Sequence, residues 1–588
     1  MQADMIESLL NKGRIFEAHN ELQSSLRENP GDIRLCQLLG LTLARLGLIE
    51  KARVLMEDLA SRQSDSETSG ILGRIYKDYW KLTGDPDYLD LSVATYKKAF
   101  LEKNDGYNGI NAATLTFLSG NRADAVQLAE KTIQYVEQWP DGYWKEASLG
   151  EAYLLTGDNN TARQHYKKAN TLGKSDPGSV HSTVEQLKIL AKDLPAAGEM
   201  LNLFDKPVIV IFAGHMIDNP VKKTVRFPES AAGDVKSEIS GFLDKINAAI
   251  GYSSLACGGD ILFAESILEK GMELNIVLPF KIDDFIKTSV GFAAPAWIDR
   301  FNNILARAHS IKFTTEEGYL GDDILFDLCS RQFMGLGILR SEFFSVKPWF
   351  LTVWDEAPGK TGGTADSVKY FPWPEQHFNI LPLKNAKTTV ESSPATRQVP
   401  EVNPVHHREM KYILFSDISG FSRLDEEKTP LFILKFLTAV SDKLNQFKPA
   451  PVIINTWGDA IFAVMNNVAD MAEYAFILQQ TVQNTDWSLA GLPQLNIRIA
   501  LHAGPVFLAD DPLLKVVNAY GTHVNRAARM EPVTAPGSIY VSEQFAAALL
   551  LERRGDYRFE HAGIIELPKK FGKQEMFRLV KFLKADNG

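Results

Sequence analysis

Tyr412-Ile413-Leu414-Phe415-Ser416-Asp417-Ile418-Ser419-Gly420-Phe421-Ser422 decides how the last third of the chain is read. Its apolar first half predicts a buried strand that delivers Asp417 to its end, where the small Ser419 and Gly420 let the backbone turn closely. Helical spacing resumes between about 429 and 446. Val452-Ile453-Ile454-Asn455-Thr456 then predicts a second strand running into Trp457-Gly458-Asp459, and Ala460 to Met465 continues as a third. The Gly-Asp turn makes these two a hairpin with one carboxylate at its tip. A single aspartate in a hairpin is ordinarily a turn residue. Asp417 and Asp459 together, at the ends of buried strands, are a natural pair of hard oxygen ligands for magnesium or manganese.

Downstream, Asn496 to Val506 alternates as a strand and ends in a glycine turn. Arg498 on this strand has a side chain long enough to reach phosphate, whereas His502 reads as a hydrogen-bonded core residue. Tyr520-Gly521-Thr522-His523-Val524-Asn525-Arg526-Ala527-Ala528-Arg529-Met530 opens a helix after a glycine. Asn525 and Arg529, four apart, share one face of it, beside an apolar face carrying Val524 and Ala528. An amide and a fixed cation stacked in this way suit the charged oxygens of a pentacovalent phosphorus.

Four motifs therefore follow in order: Phe415 to Phe421, Trp457-Gly458-Asp459, Ala503-Gly504-Pro505-Val506, and Gly521 to Arg529. With them, residues 408–585 resemble the class III adenylate/guanylate cyclase family. The resemblance covers under a third of the chain. It implies an α+β ferredoxin-like domain that works as a homodimer and turns a nucleoside triphosphate into the 3′,5′-cyclic monophosphate and pyrophosphate. It also implies two divalent cations, Mg2+ or Mn2+, held by Asp417 and Asp459 with help from the Ile418 carbonyl, and Arg498 on the terminal phosphates. Asn525 would orient the ribose and Arg529 would stabilise the transition state, both contributed by the second subunit. Lys569, in Leu567-Pro568-Lys569-Lys570-Phe571-Gly572, falls where the family places a triphosphate-binding lysine, with one extra residue in the segment.

The departure lies in base recognition. Adenylate-forming members place a lysine and an aspartate where this chain has Asn455 and Asn518, and the guanylate pattern of glutamate and cysteine is absent as well. A carboxamide both donates and accepts, so the pair suits adenine and can be turned toward guanine or a pyrimidine. By family analogy ATP is the expected substrate, with a guanylate or pyrimidine nucleotide cyclase as the alternative. A catalytically silent dimerisation module in a signalling scaffold is the rival reading.

Upstream, residues 1–195 read as helix after helix. Tyr96-Lys97-Lys98-Ala99 returns as Tyr166-Lys167-Lys168-Ala169, and Leu82-Thr83-Gly84-Asp85 returns as Leu155-Thr156-Gly157-Asp158. Small residues such as Gly40 with Ala52 and Gly150 with Ala162 stand where paired helices must approach closely. Four or five units of about 35 residues resemble degenerate tetratricopeptide repeats, with an irregular stretch between Gly73 and Ser92. Such repeats imply a protein partner.

Residues 205–387 predict a Rossmann-like α/β layer that serves as a sensor or ligand-binding domain. Val208 to Phe212 and Leu274 to Leu278 are buried parallel strands, and Gly258-Gly259 opens a helix between them. These two glycines could form an anion-holding turn or simply pack closely. His215, Asp218 and Glu265 are polar groups beside probable element ends. Gly359-Lys360-Thr361 is no phosphate loop, because Trp354 stands where the first glycine is required. Residues 388–407, rich in Thr, Ser and Pro, read as a linker.

The chain of 588 residues exceeds one core, so the expected fold class is multidomain: an all-α helical repeat, then a Rossmann-like layer, then the ferredoxin-like cyclase domain. Lys and Arg total 63 against 73 Asp and Glu, a net charge of -10 that argues against nucleic acid as a partner. Cys36, Cys257 and Cys329 are too few and too scattered for a disulfide framework. The first residues lack the order of a signal peptide, and no run is long enough for a membrane span. A cytoplasmic protein is expected.

Overall fold

The computed structural model describes residues 2–63, 65–219, 226–359, 361–373, 377–383, 408–421, 424–553 and 555–582. The linker expected at 388–407 lies outside them. The chain divides into two compact units, Met1–Lys206 and Pro207–Gly588.

The first unit is entirely helical: α1 (Gln2–Asn11), α2 (Ile15–Glu28), α3 (Ile33–Arg45), α4 (Ile49–Arg62), α5 (Ser66–Thr83), α6 (Pro86–Lys103), α7 (Gly106–Leu118), α8 (Arg122–Val136), α9 (Tyr143–Thr156), α10 (Asn159–Leu172), α11 (Pro177–Leu190) and α12 (Pro195–Leu201). The recurring Leu-Thr-Gly-Asp is a punctuation mark. Gly84 and Gly157 end α5 and α9 in the left-handed conformation, at φ 73° and 87°, and the aspartate that follows each caps the next helix. Close pairing requires the small residues: a Cβ on Gly150 would stand 2.9 Å from the Tyr166 ring, and one on Gly40 would stand 2.5 Å from Met56. The irregular stretch has a cause too. α5 and α6 are each 18 residues long, and the Ser92 hydroxyl crosses between them to donate to the Gly73 carbonyl at 2.6 Å. Among the described residues the helices of this unit fall into six consecutive pairs, where four or five units were expected.

The second unit holds two sheets. The first contains β1 (Val208–Gly214), β2 (Ala248–Ser253), β3 (Glu273–Leu278), β4 (Ser310–Phe313), β5 (Trp349–Trp354) and β6 (Phe378–Pro382), in the order β4-β3-β2-β1-β5-β6. All its pairings are parallel. Helices α13 (Ala232–Lys245), α14 (Gly259–Glu269), α15 (Ile282–Phe285), α16 (Pro295–Arg307), α17 (Ile324–Phe343) and α18 (Thr364–Tyr370) accompany it. The central strands β1, β2, β3 and β5 are mostly buried, as a sheet covered on both faces requires, while the edges β4 and β6 are more open.

The second sheet contains β7 (Arg408–Ser419), β8 (Ile453–Trp457), β9 (Ala460–Met465), β10 (Asn496–Asp510), β11 (Val517–Tyr520), β12 (Ile539–Ser542), β13 (Tyr557–Glu566) and β14 (Lys573–Lys581). Its order is β13-β14-β12-β10-β7-β9-β8, with β11 paired to β10, and only β10 with β12 is parallel. α19 (Thr429–Leu431), α20 (Thr438–Leu444), α21 (Val468–Asn484), α22 (Thr522–Met530) and α23 (Glu543–Glu552) complete the unit. No helix among the described residues is long and apolar enough to cross a membrane.

Candidate active site

The long antiparallel pairing of β7 with β10 sets Arg498 directly opposite Asp417. The Arg498 Nη2 donates to Asp417 Oδ2 at 2.5 Å. Its Nε lies 2.9 Å from Glu531 Oε1, an ion contact whose alignment falls short of a hydrogen bond. Asp459 follows Gly458 in the β8–β9 turn and comes within hydrogen-bond reach of Asp417 and of the Ile418 backbone. Burial, and then the neighbouring Asp417 charge, push the Asp459 carboxyl up to about 6. Burial lifts Glu531 to about 7, with Asp417 and Asp459 adding to the rise and Arg498 opposing it.

Three carboxyl groups thus crowd one guanidinium. That set is deficient in positive charge, and the hard oxygens of Asp417 and Asp459 fit a divalent cation that would supply it. Among the described residues no group of three or more acidic, His or Cys side chains forms a finished metal cage, so the fit rests on the two aspartates. Glu531 was not anticipated from the sequence. It stands one residue beyond α22, and only the crossing of that helix over β7 and β10 brings it to Arg498.

Asn525 is exposed on α22 and Arg529 is half-buried. Among the described residues neither forms a hydrogen bond or ion pair with Asp417 or Asp459. Asn455 lies opposite Phe462 on the β8–β9 hairpin, and its Nδ2 is buried with no partner. Asn518 lies on β11, which neighbours β8; its Oδ1 accepts from the following amide of Ala519 at 2.9 Å. Lys569 is exposed in the turn between β13 and β14, at φ 60°.

The Gly258-Gly259 turn is crossed by the chain's own backbone. Gly259 N–H donates to the His215 carbonyl at 2.9 Å, and Ile217 N–H donates back to Cys257 at 3.1 Å. A Cβ on Gly258 would stand 2.5 Å from Ile217 N. The turn accommodates the chain's own backbone in the space an anion would need. His215 instead meets Asp355 at 2.8 Å, and Arg226 grips that same carboxylate through two bonds of 2.7 Å. Asp218 accepts from the Arg226 and Phe227 amides, and Glu265 pairs with Arg300.

The two sheets are joined by a polar and close-packed contact. α17 lies on α23 so tightly that a Cβ on Gly335 would stand 2.4 Å from Ala547 Cα. Lys312, at β4, pairs with both Glu543 and Glu575, and Gln332 donates to Glu543 at 2.6 Å. Arg408, at the start of β7, forks onto Asp322 at 2.6 and 2.7 Å. Two relays continue toward α22. Gln544 donates to the Thr314 carbonyl at 3.0 Å and accepts from Gln574, which in turn accepts from Arg526 at 3.1 Å. Ser542 lies 2.8 Å from His502, whose other ring nitrogen lies 2.9 Å from His523.

Two stretches of the chain are similar to known proteins. Residues 15–116 match the family described as Tetratricopeptide Repeats-Sensor, and residues 405–581 match the Adenylate and Guanylate cyclase catalytic domain. Guanylate cyclase 2G of Rattus norvegicus is 30% identical over 184 residues, covering 29% of this chain and 16% of the relative. Atrial natriuretic peptide receptor 2 of Homo sapiens is 30% identical over 193 residues, covering 30% of this chain and 18% of the relative. The matched part is under a fifth of the length of these relatives. The crystal structure of the guanylate cyclase domain of RhGC from Catenaria anguillulae is 21% identical, covering 30% of this chain and 98% of that one, at a TM-score of 0.25. The chain carries tetratricopeptide-like N-terminal repeats followed by a class III adenylate/guanylate cyclase catalytic domain.

Proposed function

We propose that residues 408–585 cyclise a nucleoside triphosphate to the 3′,5′-cyclic monophosphate and pyrophosphate at a homodimer interface. The observation that carries this reading is the meeting of Asp417, Asp459 and Glu531 around Arg498, at the strand end and hairpin tip. Asp417 and Asp459, with the Ile418 carbonyl, would hold Mg2+ or Mn2+. Two such cations would lower the pKa of the ribose 3′-hydroxyl and offset the charge of departing pyrophosphate. Arg498 faces the same position and would bind the terminal phosphates, joined by Lys569. Among the described residues the exposed Asn525 and the half-buried Arg529 form no hydrogen bond or ion pair with Asp417 or Asp459. We therefore assign the partner subunit's Asn525 to the ribose and the partner subunit's Arg529 to the pentacovalent phosphorus.

For the base, several matched relatives carry the name guanylate cyclase, which favours GTP over the ATP expected from family analogy. The unpartnered Asn455 Nδ2 is a donor of the kind that guanine O6 would accept, and adenine N1 would accept it too. We read the rest of the chain as regulatory. In this reading a sensor layer at 205–387, Rossmann-like in its parallel sheet, precedes a linker at 388–407 and acts on α22 through α23, while the repeats at 1–195 hold a protein partner.

The deciding experiment incubates the full chain with ATP, GTP, CTP and UTP in turn, with Mn2+, and resolves the products by mass. A cyclic nucleotide lost in both Asp417→Ala and Asp459→Ala is the expected outcome. Absence of product from all four would leave the silent-module reading standing, and full turnover in both variants would dismiss the metal assignment.

A further inference from the structure

The first unit closes on itself. α11 returns to α1, where a Cβ on Gly178 would stand 2.5 Å from the Leu10 carbonyl oxygen and 2.6 Å from that of Asn11. Helices α1, α3, α5, α7, α9 and α11, the first member of each pair, line the inside. A chain of hydrogen bonds crosses that interior: Lys77 on α5 donates to Gln186 on α11 at 2.9 Å, Gln186 donates to Glu151 on α9 at 2.8 Å, and Thr114 on α7 also donates to Glu151.

Positive charge collects beside this chain without matching carboxylates. Among the described residues Arg45, the last residue of α3, makes one hydrogen bond, to the Leu10 carbonyl at 2.8 Å, and no ion pair. Arg74 reaches Asp78 only at 3.5 Å, and Lys81 shares that aspartate at 3.7 Å. Lys77 has the neutral Gln186 as its partner. Glu7 and Glu185, the next nearest acids, are engaged by Arg34 and Lys188. Arg74, Lys77 and Lys81 thus share Asp78, with Glu151 beside Lys77, and Glu7, the acid near Arg45, is already paired with Arg34, so cations outnumber the carboxylates available to them. None of the four is fully buried, so unused N–H donors remain open to a ligand. Burial, together with the nearby Arg74, lowers Arg45 to about 9; burial lowers Lys77 to about 8, where Arg74 and Lys81 also repel it. Like charges held together in a partly desolvated interior are costly unless an anion joins them.

We propose that the interior of the helical unit is a binding site for a small phosphorylated molecule, with Arg45, Arg74 and Lys77 as the phosphate-binding groups. Three cations with free donors match a phosphate dianion in charge and in hydrogen-bonding demand. The closure of α11 on α1 and the bonds crossing the interior favour a compact ligand over an extended acidic peptide.

The test uses the full chain in EDTA, so that metal-dependent phosphate binding at the cyclase site does not contribute, with tripolyphosphate as the probe. Calorimetry should show saturable binding that weakens as salt rises. Arg74→Gln and Lys77→Met should each weaken it by about tenfold or more, the worth of one charge-assisted hydrogen bond. Lys287→Gln, on the surface of the other unit, should leave it unchanged, and Lys77→Arg should retain it. Lys77→Met should melt no lower than the parent without ligand, since it relieves repulsion from Arg74 and Lys81. No binding by the parent, full binding by both neutral variants, or equal binding of hexaglutamate would each overturn the proposal. Were a neutral variant to fail to fold, Arg45→Gln supplies the same comparison.

Discussion

Lys312→Met should destabilise the second unit by about 3–5 kcal/mol at pH 8, the cost of removing one member of a buried ion pair. The side chains of Glu543 and Glu575 are only 6% and 12% exposed, and Lys312 is the ammonium set between them. Burial would lower the Lys312 pKa, yet the two carboxylates hold it well above the usual range. Burial and the adjacent Glu575 push Glu543 up to about 7 against the pull of Lys312, while Lys312 and His561 hold Glu575 low despite its burial. Methionine keeps most of the volume and leaves two facing carboxylates without their cation. Glu543 then takes up a proton more readily. A carboxyl whose folded pKa lies above its unfolded value stabilises below the unfolded value, and the benefit is lost as pH rises through the folded one. The penalty of Lys312→Met should therefore be smaller at pH 6 than at pH 8. Urea unfolding of the full chain, read on the transition of the second unit, measures both. Adding Glu543→Gln should recover part of the loss. A penalty under about 1 kcal/mol at pH 8, or an equal penalty at both pH values, would show that the triad is solvated and that the contact between the sheets is looser than its geometry indicates.

Asp417→Asn and Asp459→Asn should each cut cyclic nucleotide formation by more than about 100-fold, several kcal/mol of transition-state stabilisation. In metal-free buffer Asp459→Asn should melt higher than the parent, because a buried like charge beside Asp417 is gone; a lower melting temperature would contradict the crowding. His502 is held well below 6.5 and His523 is lowered to about 3, both first by burial. A depressed histidine stabilises above its unfolded pKa and the benefit is lost as pH falls, so stability should drop between pH 6 and 4 by up to about 2.7 kcal/mol per unit for the pair. His523→Gln should roughly halve that slope, and calorimetry across the range checks it. Gly335→Ala should cost about 1–3 kcal/mol by forcing α17 off α23. Gly241→Ala, in α13 with nothing within 4 Å, should instead stabilise by about 0.5–1 kcal/mol, and opposite signs in urea unfolding distinguish the two.

What could be read in the sequence was what local pattern determines. Alternation and a Gly-Asp turn placed Asp417 and Asp459 at neighbouring strand ends, and the repeated Leu-Thr-Gly-Asp marked helix junctions where a left-handed glycine is followed by a capping aspartate. The miscount of helix pairs came from the same reliance on markers, since α1, α2, α11 and α12 fold without them. Gly258-Gly259 shows the limit more sharply. Two glycines before a helix satisfy an anion nest and a close backbone crossing equally well, and the choice lay with His215 and Ile217, some forty residues away. Glu531 was hidden for a like reason, as its partner Arg498 lies on β10, far from the end of α22 in the sequence.

The contact between the two sheets was hidden too, and it bears directly on α22. Within nine residues that helix carries two sets of side chains with different duties. His523 and Arg526 are buried and face the relays from α23 and β14, while Asn525 and Arg529 sit on the more exposed side, where a second subunit would meet them. A helix so short moves as one body. Any shift of α17 against α23 that passes through Gln544 and Gln574, or through His502, reaches the helix from its buried side and displaces the Asn525–Arg529 face with it. Regulation of the proposed reaction then requires no contact with Asp417 or Asp459. It needs only a change in how α22 is presented across the proposed dimer, with both aspartates left in place on β7 and the β8–β9 hairpin.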